Sequence, residues 1–483
     1  MSDILKNSLM DRLLKFQCHF TWDLLGEDVD INNVEERLND QVVFLPDTLK
    51  HRMYNLLAYL KHLTGDHEEA LLQLQKAEAQ IQESSITEDA DVRTTVIYAN
   101  FAWVFYHQNQ FIKCFTYAKK VDTILKQYES PPKKNTLLLD IYGEQGWTYL
   151  SFTGEYYQWA AECFEKALEL DPEDPELNSG LAMAVYRMEG FSFRSKKTSK
   201  SFPLLERAVK LNPTDTVLKA LLALKYLDMK NYNQGTLLIE QALQEQPESP
   251  YVLRYVATFY KRRGQMQKAI AMFKKVLSLT PTSSAAHYQL GICYKSLIKM
   301  PKALEGQSTR DIMQQNSEAI ANAIFHSEKA VELNRSSVAG HILLTNVYMK
   351  VNDYQRAKEV VGKTLTLKNI KCDEKQELHH KWANYLMNSR KSESEAVRHF
   401  KEVIEIQSQT WFGKHAIKKL ESLAETMIVQ NSMDATGHAL LGYVHQQRGQ
   451  GIAAMKYYNK ALLLEPDNQE YLEACSALQT TIS

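Results

Sequence analysis

Residues 160–172 read AAECFEKALELDP. Ala160 is followed by Phe164, Ala167 and Pro172, at steps of four, three and five. Steps of three and four place the first three side chains on one helical face. The proline stops the helix, because it lacks an N–H and clashes with the preceding turn. The same pattern returns as Ala269, Phe273, Val276 and Pro281 in AIAMFKKVLSLTP, and as Ala454, Tyr458, Ala461 and Pro466 in AMKYYNKALLLEP. Partial copies occur at Ala70/Leu74/Ala77, Ala208/Pro213, Ala242/Pro247 and Ala396/Phe400/Val403.

A repeated helix of this kind, preceded by runs such as Leu290-Gly291-x-x-Tyr294 and Leu441-Gly442, is the second half of a tetratricopeptide repeat, a helical hairpin of about 34 residues. Small residues let the two helices approach, and the aromatic fills the groove between them. Copies from residue 51 to 472 amount to roughly nine or ten hairpins. The fold expected is all-α: a tetratricopeptide superhelix, or solenoid, with a concave central groove or tunnel. Breaks at ESPPKKNT (129–136), GFSFRSKKTSKSF (190–202) and KMPKALEGQSTRDIMQQN (299–316) interrupt the array. They suggest three subdomains: an N-terminal one at 1–130, a central one with a basic groove at 137–300, and a C-terminal one at 317–483. The insertions either cap the groove or are tolerated surface loops.

Composition fits this reading. The chain has 483 residues, 44% hydrophobic and 24% charged, with only 18 glycines and 12 prolines, which disfavours a many-turned β architecture. The formal charge is -1, so nucleic-acid binding requires local clustering of cations. Six scattered cysteines without a CxxC pair fit a reducing compartment. The N-terminus has no apolar signal core, and no stretch approaches the ~20 apolar residues of a membrane span. A soluble cytoplasmic protein with no membrane partner is expected.

The stretch YVLRYVATFYKRRG (251–264) gives the groove its chemistry. Tyr251, Arg254, Tyr255, Thr258 and Lys261 share one helical stripe, whereas Leu253, Ala257 and Tyr260 form a second, core-like one. A repeat starting at Pro250 puts Tyr251, Arg254, Thr258 and Lys261 at the positions that line the inner face. Tyr288 and Gln289 follow in the next repeat, and Arg187 lies at the groove edge in the repeat from Pro175. Cations interleaved with aromatic faces suit single-stranded nucleic acid, with stacking worth about 1–3 kcal/mol per base. A polar peptide groove, or tyrosines packed on neighbouring helices, gives the same periodicity.

Nothing points to an enzyme or a cofactor. There is no P-loop, GxSxG, HExxH or Gly-rich dinucleotide turn. His379-His380 and Cys18-His19 lack further ligands at metal spacing, and Trp22 and Trp103 read as core. The run Arg194–Lys200 reads as a solvated basic loop, or as phosphate steering near the groove mouth.

CHFTW (18–22), YNLLAYLKHLTG (54–65), FAWVFYH (101–107), EQGWTYL (144–150), YVLRYVATFYKRRG (251–264) and TPTSSAAHYQLGICYK (280–295) together resemble the interferon-induced proteins with tetratricopeptide repeats, over essentially the whole chain. The resemblance implies an interferon-induced antiviral effector without catalytic activity. It implies binding of single-stranded RNA 5′ ends, triphosphate or incompletely methylated cap, in a basic tunnel. By the same resemblance, Arg37 and Gln41 in VEERLNDQ fall at the 5′ phosphate bridge and Trp147 at a stacked cap guanine. Tyr157, Arg187, Tyr251, Arg254, Tyr255 and Lys261 fall along the tunnel, and Tyr288 and Gln289 near the second nucleotide. Family members or signalling adaptors are the implied protein partners of the C-terminal repeats.

Three positions depart from the family pattern. Ser151 stands where a triphosphate-binding lysine is expected, Tyr288 stands in place of a histidine, and RSSVAGH (335–341) replaces aromatics. A serine cannot match the charge-assisted bond of a lysine to phosphate. Arg37, where a triphosphate-preferring member has threonine, tilts the expectation towards capped ends. A protein-binding scaffold in innate immune signalling is the competing expectation.

Overall fold

The computed structural model describes residues 3–24, 29, 31–44, 47–84, 90–131, 133–191, 199–299, 309–389 and 392–482. All elements among these residues are helices. Two compact units form, Met1–Leu297 and Ile298–Ser483. Residues 194–198 of the basic run, and the stretches 192–198 and 300–308 of the two long insertions, lie outside the described residues.

In the first unit, α1 (Asp3–Leu13) and α2 (Ile31–Phe44) precede six hairpins. These are α3/α4 (Asp47–Leu63, His67–Ser84), α5/α6 (Ala90–His107, Phe111–Gln127), α7/α8 (Lys133–Phe152, Tyr157–Leu168), α9/α10 (Pro175–Phe191, Ser201–Leu211), α11/α12 (Thr216–Asp228, Tyr232–Glu245) and α13/α14 (Pro250–Arg262, Met266–Leu279). Helix α15 (Ser284–Leu297) ends the unit. The first helices of successive hairpins touch one another, α3 with α5, α5 with α7, α7 with α9 and α11 with α13, and so form the inner layer. The break at 129–136 falls inside this unit, where α7 packs on α3 and α5.

The second unit holds α16 (Thr309–Leu333), α17 (Val338–Lys350), α18 (Tyr354–Leu365), α19 (Cys372–Ser389), α20 (Glu393–Ile406), α21 (Trp411–Gln430), α22 (Ala435–Gln447), α23 (Gly451–Leu464) and α24 (Gln469–Ile482). Here α17/α18, α19/α20 and α22/α23 are the hairpins. The long helices α16 and α21 stand outside these pairs, α16 packing on α17, and α21 on α20 and α22.

The repeat pattern has a direct physical cause. Phe164, fully buried, fits between Gly146 and Gly180, and a Cβ on Gly180 would lie 2.4 Å from its ring. Tyr458 meets Gly442 in the same way, with a Cβ at 2.9 Å. Six hairpin turns contain one residue in the left-handed region: Gly65, Asn109, Lys230, Gly264, Asn352 and Gly449. Glycine and asparagine tolerate that conformation, whereas Lys230 accepts a strain of about 1 kcal/mol. Side chains cap the helix starts: Ser249, ahead of Pro250 at the first turn, accepts from Val252 N–H, and Asp215 accepts from Val217 and Leu218 N–H.

The CHFTW segment is a buried plug. Cys18, His19 and Trp22 are buried, and Phe20 stacks on Trp103 at 5.5 Å. The His19 ring lies 3.1 Å from both Asn100 Nδ2 and Thr148 Oγ1, and burial lowers its pKa to about 3. Tyr149 donates to the carbonyl of Trp22 at 2.8 Å, fastening the plug to α7.

Candidate functional site

The quoted tyrosine–cation stripe lies on α13. Val252, Leu253, Val256, Ala257 and Phe259 are buried, while Tyr251, Arg254, Tyr255, Thr258 and Lys261 are half-buried. The core face is therefore wider than the second stripe alone, and Tyr260, expected there, is half-buried beneath Lys268. The polar stripe is turned away from the core.

Helix α2 reaches across the unit and touches α3, α7, α13 and α15. Glu35 pairs with Lys61 of α3 at 2.6 Å. Arg37 Nη2 donates to the carbonyls of Ser151 (3.1 Å) and Phe152 (2.8 Å) at the end of α7. Gln41 hydrogen-bonds with the Tyr251 hydroxyl of α13. Glu36 Oε1 accepts from the backbone N–H of Ser284, where α15 starts, at 3.4 Å. A groove spanned by a helix becomes a tunnel, and these contacts join residues up to 248 apart in sequence.

The cations converge from three helices. Arg187 of α9 donates to the Leu150 carbonyl at 2.9 Å and lies over the Tyr157 ring at 5.6 Å. It also hydrogen-bonds with Tyr255 and lies near Tyr251. Burial works against its charge, but Tyr255 and Tyr157 outweigh burial, and its pKa is raised. Arg254 lies over the Tyr251 ring at 5.7 Å and donates to Ser283 at 3.3 Å. Burial pushes Tyr251 up to about 12, against the pull of Arg254 and Gln41, so its hydroxyl is neutral at physiological pH. Gln41, Tyr157, Arg187, Tyr251, Arg254 and Tyr255 thus form one connected cluster, and Arg37 is held at the same end of α7 as Arg187.

The remaining expected residues lie further along α13, on α15 and on α7. Lys261, two turns along α13, donates to Gln289 at 2.5 Å, and burial lowers its pKa. Tyr288, next to Gln289, is half-buried, with its ionisation pushed up by burial. Trp147 lies one turn before Leu150 on α7, and Phe164 meets its ring at 5.4 Å, edge to face. Its Nε1 is buried without a partner among the described residues. Half-buried aromatic faces beside guanidinium groups can stack bases while the cations meet phosphate oxygens.

Two features escaped sequence reasoning. The carbonyls of Leu150, Ser151 and Phe152 orient the two arginines, and backbone groups leave no residue signature. Behind Trp147 lies a buried charge cluster. Arg52 of α3 pairs with Glu176 of α9 and approaches Asp140 of α7 at 4.0 Å, and Asn55 donates to Glu144 at 2.6 Å. Glu144 is fully buried, and burial followed by Asp140 pushes its pKa to about 8. The available signal was the spacing of Asp140, Glu144 and Trp147, which share one helical face.

Comparisons with known proteins agree with this architecture. A tetratricopeptide repeat family model matches residues 139–174, 256–283 and 435–468. The chain is 36% identical over 464 residues to the human antiviral innate immune response effector IFIT1, covering 95% of this chain and 97% of that protein. It is 32% identical over 450 residues to human interferon-induced protein with tetratricopeptide repeats 2, covering 92% and 93%. Among solved structures, a monomeric IFIT1 mutant with Gppp-AAAA gives a TM-score of 0.79 at 35% identity, covering 95% of this chain and all of that one. A human IFIT1 dimer with PPP-AAAA gives 0.75 at 34% over the same shares. With sequence likeness along almost its whole length and a matching solved fold, the chain belongs to the family of interferon-induced proteins with tetratricopeptide repeats.

Proposed function

We propose that the first unit binds the 5′ end of single-stranded RNA in the tunnel beneath α2, as an antiviral effector that sequesters the RNA without chemical change. The observation that carries this reading is the cluster of Arg37, Arg187 and Arg254 interleaved with Tyr157, Tyr251 and Tyr255. Similar proteins were solved holding Gppp-AAAA and PPP-AAAA, which supplies the ligand class. The arginines take the 5′ phosphate bridge and the tyrosines the first bases or riboses, while Trp147 stacks a cap guanine. Lys261, Tyr288 and Gln289 meet the following nucleotides. All these residues except Arg37 and Gln41 come from the segment 137–300. Ser151 leaves one fewer cation for a triphosphate, which favours capped ends over free triphosphates.

The protein acts in the cytoplasm. Among the described residues no helix is long and apolar enough to cross a membrane, and the six cysteines are unpaired, which fits a reducing compartment. Family members or signalling adaptors engage the C-terminal repeats.

Titration with one short RNA carrying triphosphate, cap, 2′-O-methylated cap or hydroxyl ends tests the proposal. Binding should depend on the end group and fall steeply with salt. Equal affinity for all four ends, or none for any, would favour a protein scaffold instead.

A further inference from the structure

The second unit contains a cavity of about 400 Å³ between α20, α22 and α24, a size typical of ligand sites. Its wall carries three tyrosines, Tyr443, Tyr458 and Tyr471, and its rim carries Glu393 from α20 and Glu470 from α24. Tyr458 and Tyr471 are held in place by their own hydrogen bonds, to Gln446 at 3.2 Å and to Thr436. Tyr443 is not. Its hydroxyl is buried without a hydrogen-bond partner among the described residues. Burial, together with Glu405 and Glu402, pushes the ionisation of that hydroxyl upwards. A buried unpartnered hydroxyl costs about 1–3 kcal/mol, and this one stands in an acidic surround.

The protein supplies one occupant of its own. Lys401 lies 5.3 Å over the Tyr443 ring and pairs with Glu470 at 2.6 Å. A lysine on a flexible stem, held by one exposed carboxylate, is a weak and exchangeable tenant. It also shows what the site attracts: a cation that lies on tyrosine and meets glutamate. Glu393, Glu402 and Glu405 add further negative charge nearby, so one lysine does not balance the site.

We propose that this cavity binds an arginine side chain of an extended peptide segment from a partner protein, displacing Lys401. A guanidinium suits it better than an ammonium, because it stacks on tyrosine and presents a planar fork to carboxylates on two sides. The inference goes beyond RNA capture and uses none of its residues.

The test uses the full-length protein with 13C-labelled methionine methyls, since Met427 lines the cavity; Met427→Leu assigns its signal. The probe is the peptide acetyl-Gly-Ser-Arg-Ser-Gly-amide, compared with versions carrying norleucine or glutamate in place of arginine. The arginine peptide should shift the Met427 signal saturably, and the other two should not. Lys401→Met should tighten binding, and Glu470→Gln should weaken it, each by about two- to fivefold given the exposure of that pair. Unchanged signals from the other methionines would show that the variants remain folded. A Met427 signal unmoved by the arginine peptide, moved equally by norleucine, or bound no tighter after Lys401→Met would overturn the proposal.

Discussion

Arg37 Nη2 lies 2.8 Å from the carbonyl oxygen of Phe152, tying the helix that crosses the tunnel to the C-terminal end of α7. Arg187 donates to the Leu150 carbonyl two residues earlier. A helix C-terminus carries partial negative charge and unpaired carbonyls, so it can aim two guanidinium groups before any ligand arrives. Fixing them in advance reduces the ordering cost on binding. The position between them, Ser151, has no charge of its own.

Truncating either arginine should therefore weaken RNA capture and lower its salt dependence. Arg37→Ala and Arg187→Ala should each cost about 1.5–3 kcal/mol towards capped RNA, the usual worth of a hydrogen bond to a charged group. The slope of log affinity against log salt should shrink by about one per phosphate contact removed. Titrations at three salt concentrations check both numbers. An unchanged slope would place these cations away from phosphate.

Ser151→Lys adds a cation beside both arginines. Triphosphate-ended RNA should bind more tightly by about 1.5–3 kcal/mol, while hydroxyl-ended RNA should hardly respond. Titrating both proteins with both RNAs decides this. An unchanged triphosphate affinity would mean that Arg37 or Arg187 already supplies the missing charge, or that the phosphate lies elsewhere.

The fold was legible because one hairpin repeats, so Ala160/Phe164/Ala167/Pro172 and its copies report the same packing several times. The α13 stripe was legible too, since helical periodicity separates Tyr251 and Arg254 from Val252 and Val256 without any structure. The closure by α2 was not. It depends on contacts such as Glu36 to Ser284, which local sequence does not encode, and Arg37 and Gln41 came into view only through family resemblance. The Arg52, Asp140, Glu144 and Glu176 cluster was missed for a related reason: acids at helical spacing usually face solvent, and only the fold shows Glu144 fully buried.

Gly180→Ala tests the packing that supports Trp147. Alanine improves helix propensity by about 1 kcal/mol, yet its Cβ would lie 2.4 Å from the Phe164 ring. Moving a fully buried phenylalanine costs about 1–3 kcal/mol, so the clash outweighs the propensity gain and thermal stability should fall. Because Phe164 meets Trp147 edge to face, capped RNA should also bind less tightly, with less effect on triphosphate ends. A melting curve and the two titrations separate these consequences.

Glu144 should leave a signature in the pH dependence of stability. Its carboxyl is pushed from 4.5 to about 8, by burial first and then by Asp140. Between those values the folded protein holds a proton that the unfolded chain has released. The folded state therefore binds more protons, and stability falls as pH rises through that window. Buried His19, lowered to about 3, acts in the opposite direction below its ordinary 6.5, so the wild-type profile alone is ambiguous. Glu144→Gln isolates the carboxyl, since the amide keeps an oxygen to accept from Asn55 and cannot ionise. Subtracting the two urea-denaturation profiles between pH 5 and 8 should leave the wild type losing stability relative to the variant as pH rises, by something on the order of 2 kcal/mol. A flat difference would show that Arg52 keeps the carboxylate charged in the folded protein.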